Sequence, residues 1–266
     1  MAINYLSEEE NLISKKFLSD GYLIVDISEI NSYQWIENKI KKLVLKFLKI
    51  SKKDLHNDIL DNVHEHLSLN ELNMFRMYII EEINKLKDFK FHYFTVAKDL
   101  IYKIVGNELA MQKKINLSIQ LPNDSSSILP VHSDVWSGDS PFEIVVWLPL
   151  VNCFKTKSMY ILPPAKYKSL EKSFKKVVNK SSESLFKIIK KDVKWINIKS
   201  GQVLIFNQSL PHGNRVNVEE TTRWSMNCRF KSLLSPYGDK KLGEFFLPIT
   251  TRVATNIGLE YKEPGL

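Results

Sequence analysis

The chain has almost no cysteine: Cys153 and Cys228 are the only two in 266 residues. They stand far apart and neither has a CxxC partner. Neither a thiolate zinc cluster nor a disulfide scaffold can be built from them. Two small buried side chains are expected instead. Long apolar runs are also missing, since no stretch approaches the ~18–20 residues needed to span a bilayer. An export signal would run basic residues into an apolar block. Here the opening MAINYLSEEENL places acids before the first apolar stretch. A cytoplasmic protein without a membrane span is therefore expected. There is no arginine-rich arm and no nucleic-acid-binding signature, so no nucleic-acid partner is expected. Internal repeats, low-complexity linkers and clear boundaries are absent too. The expectation is a single domain over 1–266.

What the chain does carry in excess is lysine, with a net charge of +8. Lys39, Lys41, Lys42, Lys46 and Lys49, and Lys187, Lys190 and Lys191, sit in amphipathic stretches. Such runs are usually solvated helix faces. The positive field they create suits an anionic metabolite.

The N-terminal part reads as helical. Residues 7–18 are amphipathic, with Ser7 as N-cap and Glu10 at capping-box spacing. Gly21 ends that helix, and Tyr22 to Val25 reads as a short strand. Residues 33–49 place Trp35, Ile36, Ile40, Leu43, Val44, Phe47 and Leu48 on one helical face. Residues 70–86 and 94–105 also suit helices. After residue 112 the period changes to two: Ile115, Leu117, Ile119 and Leu121 alternate with Asn116, Ser118 and Gln120. EIVVWLPL (143–150) suits a buried strand, and SMYILP (158–163) another. The lysine-rich residues 166–192 read as partly helical. Strands resume at Trp195 to Ile198, Val203 to Phe206 and 221–230. The fold class expected is mainly β with α (α+β): a double-stranded β-helix, the cupin-like jelly roll, with a helical N-terminal layer. Residues 1–112 form the mainly helical layer. Residues 113–235 form the β-helix core with a helical insertion near 166–192, and 236–266 a C-terminal extension.

His132-Ser133-Asp134 is the first sign of chemistry. On extended backbone, residues two apart point the same way, so the imidazole and the carboxylate converge. His212 follows 80 residues on, after a strand ending in Phe206 and a Pro211 turn. Two histidines and one carboxylate form the facial triad of non-haem Fe(II) oxygenases, with positions left open for a keto acid and O2. Zinc would more often take a third His or a Cys in a closed tetrahedral site. By itself HxD is a weak signal, and a surface loop with a capping Asp is the bland alternative. His64 and His66, with His56 near, lie in a polar helical setting and read as surface residues.

The context that strengthens the triad is residues 201–230, GQVLIFNQSLPHGNRVNVEETTRWSMNCRF. Its last strand sorts Arg223, Ser225, Asn227 and Arg229 onto one face. Trp224, Met226, Cys228 and Phe230 lie on the other. A polar face lining a barrel cavity fits this pattern. An inward arginine needs an anionic partner, because an unpaired buried charge is costly. The far carboxylate of 2-oxoglutarate would supply one through a bidentate fork. A protein carboxylate is the alternative.

Four segments resemble the phytanoyl-CoA dioxygenase family: FLSDGYLIVDI (17–27), VHSD (131–134), EIVVWLPLVN (143–152) and the 201–230 block. The resemblance implies a double-stranded β-helix with Fe(II), and with 2-oxoglutarate and O2 as co-substrates. It makes His132, Asp134 and His212 the ligands and Arg223 the co-substrate anchor. Ser225, on the same face, adds a hydroxyl contact. Trp147 falls where the family places an aromatic near the co-substrate, although plain core packing explains it equally. The chain departs from the family after the central strand. NCFKTKSMYILPPAKYKSL keeps only ILP of the usual segment and has no histidine. That departure counts against an acyl-CoA substrate. The 201–230 block and LGEFFLPITTRVATNIGLEY are more similar to bacterial oxygenases of surface-carbohydrate gene clusters.

The expected activity is hydroxylation of a small polar or anionic metabolite. The narrower reading is a sugar or sugar-derived intermediate of surface-glycan biosynthesis. Trp136, Asn116 and Ser118 are candidates to face the cavity, with Gln120 grouped with the co-substrate contacts. Arg229 and Arg215 would meet an anionic substrate, and Arg76 lies on a helix that could cover the mouth. Each has an ordinary alternative in salt bridges or solvent exposure. The competing functions are a cupin-type sugar isomerase or epimerase, and a non-catalytic binding module on the same fold.

Overall fold

The protein is described by a computed structural model covering residues 5–51, 53, 58–171 and 181–265. Ser7 opens α1 (Glu8–Asp20) with a complete capping box: its hydroxyl accepts from the Glu10 amide, and its own amide donates to the Glu10 carboxylate. Gly21, at φ 80°, ends the helix in the left-handed region and turns the chain into β1 (Tyr22–Asp26). α2 (Ile30–Leu48) buries Ile36, Ile40 and Val44 along one stripe. α3 (Leu69–Lys85) is capped by Ser68 and Glu71 in the same way as α1, and buries Phe75, Ile79 and Ile83.

The single helix expected over 94–105 is instead α4 (Lys87–Thr95) followed by α5 (Lys98–Ile104). Ala97, at φ −129°, leaves the helical backbone between them. Tyr93, buried on α4, donates its hydroxyl to the Val146 carbonyl 2.9 Å away and so pins α4 to the sheet beneath.

The strands that follow are β2 (Leu109–Gln112), β3 (Asn116–Gln120), β4 (Glu143–Pro149), β5 (Tyr160–Ile161), β6 (Lys194–Trp195), β7 (Gln202–Asn207), β8 (His212–Gly213), β9 (Arg223–Ser232) and β10 (Phe246–Thr250). α6 (Pro164–Glu171) and α7 (Ser182–Ile189) lie in the lysine-rich insertion, and α8 (Val253–Glu260) follows β10. The centre of that insertion, 172–180, and His56 lie outside the described residues. The strands make two antiparallel sheets, the larger ordered β1-β7-β4-β9-β2-β10 with β3 also on β9, the smaller β6-β5-β8. This is the double-stranded β-helix. Part of the larger sheet comes from outside the central segment. β1 pairs with β7, while β10 pairs with β2 through a register shift between Pro248 and Thr250.

The two faces of the larger sheet have different partners. One packs under the helices: Trp224, Met226, Cys228 and Phe230 of β9 are fully buried, and Phe75 meets Trp224 edge to face at 5.8 Å. Aromatic area of this kind dominates core energetics. The other face is left for a cavity. Both cysteines are free and buried, and burial pushes each thiol up to about 12. No described helix is long and apolar enough to cross a membrane.

Candidate metal centre

His132 and His212 are cross-strand neighbours. The His132 amide donates to the His212 carbonyl at 3.0 Å, and the His212 amide returns a bond to the His132 carbonyl at 2.8 Å. This antiparallel bridge sets the two imidazoles side by side, with ring centroids 4.3 Å apart. Asp134 follows two residues after His132, its amide donating to the Gln208 carbonyl at 3.1 Å. Its Oδ1 lies 3.4 Å from His132 Nε2 and 3.9 Å from His212 Nε2. One ligand atom from each residue falls within 4.8 Å of the others. Among the described residues this is the one His/Cys/Asp/Glu group with metal-binding geometry.

The outer nitrogens are committed as well. His132 Nδ1 lies 2.8 Å from the Pro130 carbonyl, and His212 Nδ1 lies 2.8 Å from the Leu210 carbonyl. A carbonyl can only accept, so each Nδ1 carries the proton and each Nε2 lone pair is left facing the point enclosed by the three side chains. Burial holds the His212 imidazole down at about 4, and the neighbouring His132 adds to this, so the ring is neutral at ordinary pH. Burial would raise the Asp134 carboxyl, but its polar neighbours His132, His212 and Arg229 outweigh it and hold the group well below the usual carboxylate range.

The triad opens onto a cavity of about 260 Å³ between the two sheets. Val145 and Trp147 of β4, Phe206 of β7 and Met159 form its apolar wall. From β9, Arg223, Ser225, Asn227 and Arg229 all line it, joined by Asn116 and Ser118 of β3. Arg223 is 3% exposed. It donates to the Ser118 hydroxyl at 2.7 Å and the Ser158 carbonyl at 3.3 Å. Its Nε has no hydrogen-bond partner, and neither does the buried Ser225 hydroxyl. No described carboxylate pairs with Arg223. Burial pushes the guanidinium down to about 10.

Other residues singled out from the sequence lie elsewhere. Gln120 is fully buried and donates to the Arg215 carbonyl at 2.8 Å, away from the cavity lining. Arg215 forms a 2.5 Å ion pair with Glu183 of α7 and stacks over Phe186. Arg76 donates to the Ile119 carbonyl and the Ser127 hydroxyl. Trp136 sits on the 3-10 turn Asp134–Ser137 and is exposed, outside the lining. Arg229 does line the cavity, but its charge is met by Asp134 at 2.8 Å and Asp139 at 3.4 Å. His64 bonds the Thr222 hydroxyl at 3.0 Å and belongs to no metal group. Sequence reasoning missed Asp139, Glu143, Gln208 and Gln112, which surround Arg229. They come from separate segments and share no period that could have joined them.

No family model and no curated protein matches the chain. Solved structures do. A non-heme monooxygenase, ThoJ, in its apo form superposes with a TM-score of 0.56, covering 90% of this chain and 84% of that one at 12% identity. EctD from S. alaskensis, solved with 2-oxoglutarate and 5-hydroxyectoine, gives 0.51 at 14% identity over 89% and 80%. HygX from Streptomyces hygroscopicus, solved with nickel and 2-oxoglutarate, gives 0.50 at 12% identity over 89% and 90%. At such identities the likeness shows the fold.

Proposed function

We propose that this protein is a non-haem Fe(II) oxygenase that uses 2-oxoglutarate and O2 to hydroxylate a small polar metabolite. One observation carries the reading: a buried arginine, Arg223, that no described protein carboxylate matches, in the same cavity as the His132–Asp134–His212 group. A buried guanidinium left unmatched is costly unless a ligand completes it. Its free Nε and the unpartnered Ser225 hydroxyl suit a carboxylate, which accepts from both. The donor set, two imidazoles and one carboxylate, suits Fe(II) with open positions. Bound together, iron, 2-oxoglutarate and O2 supply oxidation of an unactivated C–H bond, with the keto acid leaving as succinate and CO2.

The chain's own part is placement. The bonds from both Nδ1 atoms hold each Nε2 toward one point. Arg223 and Ser225 would hold the far end of the keto acid. Val145, Trp147, Met159 and Phe206 keep water from the reacting end of the cavity. What remains for substrate is neutral: Asn116 donates its amide to Asn227 at 3.0 Å across the β3–β9 pair, and both line the cavity. Arg229, Arg215 and Arg76 are already engaged within the protein. This favours an uncharged hydroxyl- or amide-bearing substrate over an anionic one. A sugar-like compound suits it, as does the resemblance to surface-carbohydrate oxygenases and, more broadly, to phytanoyl-CoA dioxygenases.

The test is succinate release from 2-oxoglutarate with Fe(II), in air and under anaerobic conditions, over a panel of neutral and anionic sugars. O2-dependent succinate enhanced by a neutral member is expected. Turnover of a sugar without O2 would favour the isomerase or epimerase reading. Binding without turnover would favour a non-catalytic module.

A further inference from the structure

The two oxygens of Asp134 have different surroundings. Oδ1 faces the histidines, 3.4 Å from His132 Nε2 and 3.9 Å from His212 Nε2. Oδ2 accepts from Arg229 Nη2 at 2.8 Å. Arg229 is itself braced on every side. Its Nε donates to Gln208 Oε1 at 3.0 Å and lies 4.0 Å from Glu143. Its Nη1 donates to Gln112 Oε1 at 3.3 Å, and Nη2 also lies 3.4 Å from Asp139. Behind these, Gln208 donates to Glu143 at 3.0 Å, and Lys240 pairs with Asp139 at 2.6 Å. The guanidinium cannot swing away without uncovering several buried polar groups, which is costly.

We infer that Arg229 is a positioning residue that confines Asp134 to binding a metal through Oδ1 alone. A carboxylate chelates a metal readily when both oxygens are free. With one oxygen held by a charged donor, the other is left as a single ligand. The consequence for the site rests on the function proposed above. An octahedral ion held by three single ligand atoms keeps three positions open, which a chelating keto acid and O2 would fill. A chelating Asp134 would leave only two. Arg229 thus sets how many positions the protein leaves free, which Arg223, for all its likeness on the same strand, does not.

The test counts the waters bound to Co(II) by ¹⁷O line broadening, before and after 2-oxoglutarate is added. The variants are Arg229→Gln and Arg229→Lys, with folding checked by circular dichroism. Arg229→Gln is expected to bind Co(II) about as tightly as wild type, but with about one bound water fewer. With 2-oxoglutarate added, wild type should keep about one water and Arg229→Gln none, since the chelating keto acid takes two positions in each. Arg229→Lys, which returns a charged donor to Oδ2, should restore the missing water. An unchanged water count in Arg229→Gln would overturn the inference. Equal loss of Co(II) by both variants would overturn it too, because the arginine would then be holding the fold rather than the ligand mode. Should the variants not fold, a structure of the wild-type protein with Co(II) decides the matter: Asp134 bound through both oxygens refutes it, and through Oδ1 alone upholds it. Wild-type protein that takes Co(II) but not 2-oxoglutarate would sink the proposed function alone. The water count and the Co(II) structure would still settle the role of Arg229.

Discussion

His132 and His212 are 80 residues apart in the chain, yet they exchange both main-chain hydrogen bonds, at 3.0 and 2.8 Å. The metal group is therefore built on a backbone pairing, and side-chain packing only refines it. Anything that separates the two strands separates the imidazoles.

Gly213, beside His212 on β8, is the most sensitive point in that pairing. A Cβ there would lie 2.8 Å from the Leu129 carbonyl oxygen and 2.8 Å from the Tyr160 hydroxyl. Backbone must move to admit it. Gly213→Ala should keep the fold and weaken Co(II) or Ni(II) binding about tenfold or more, read by competition with a chromogenic chelator. Wild-type metal affinity in this variant would show that the bridge tolerates displacement.

Acid should destabilise the metal-free protein through His212. Its folded value of about 4 lies below the 6.5 of an unfolded imidazole. As pH falls from 6.5 to 4 the unfolded chain takes up a proton that the folded chain refuses. Stability is thus present above 6.5 and lost on the way down, by about 1.4 kcal/mol per pH unit and up to about 3 kcal/mol in all. Urea titrations at stepped pH should show this slope, and His212→Gln should flatten it. An equal slope in the variant would assign the effect to other groups.

Arg223 sets function against stability. Arg223→Met removes a buried guanidinium that no described carboxylate matches and should stabilise the metal-free protein by about 1–2 kcal/mol. On the proposed function, 2-oxoglutarate should raise the melting temperature of the metal-loaded wild type, and the same change should abolish that rise. Thermal unfolding with and without the keto acid reads both effects. A variant that still responds to it would place the anchor elsewhere.

Trp224 ties the helical layer to the sheet. Its indole donates to the Leu60 carbonyl at 2.8 Å, and its ring is fully buried against Phe75. Trp224→Phe keeps most of the ring but orphans that carbonyl, a loss of about 1–3 kcal/mol. Trp224→Ala should cost about 3–5 kcal/mol. Both should lower the urea midpoint. A phenylalanine variant as stable as wild type would mean that water replaces the indole.

Local pattern made much of this readable in the sequence. The Ser7–Glu10 cap, the apolar stripe of α2 and the two faces of β9 each depend on residues within a turn or two of one another. HxD was readable because extended backbone points alternate residues one way. What stayed hidden depends on distant partners. Arg223 and Arg229 share a face of β9, and period alone cannot say which is matched. That is settled by Asp139 and Glu143, Gln208, and Gln112, from three separate stretches. Gln120 shares the parity of Asn116 and Ser118, but at the end of β3 its amide turns to the Arg215 carbonyl. The break at Ala97 follows from seating α4 on the sheet, which no helical period reports.

β10 ends the larger sheet on one side, and there Pro248 and the register shift beside it have a second effect. A bare edge strand is a template on which another chain can add its own strand, the first step toward aggregation. A proline withholds one donor from that edge, and an irregular register keeps it from presenting an even ladder. The end of the sheet is thereby a poorer template for strand-by-strand growth.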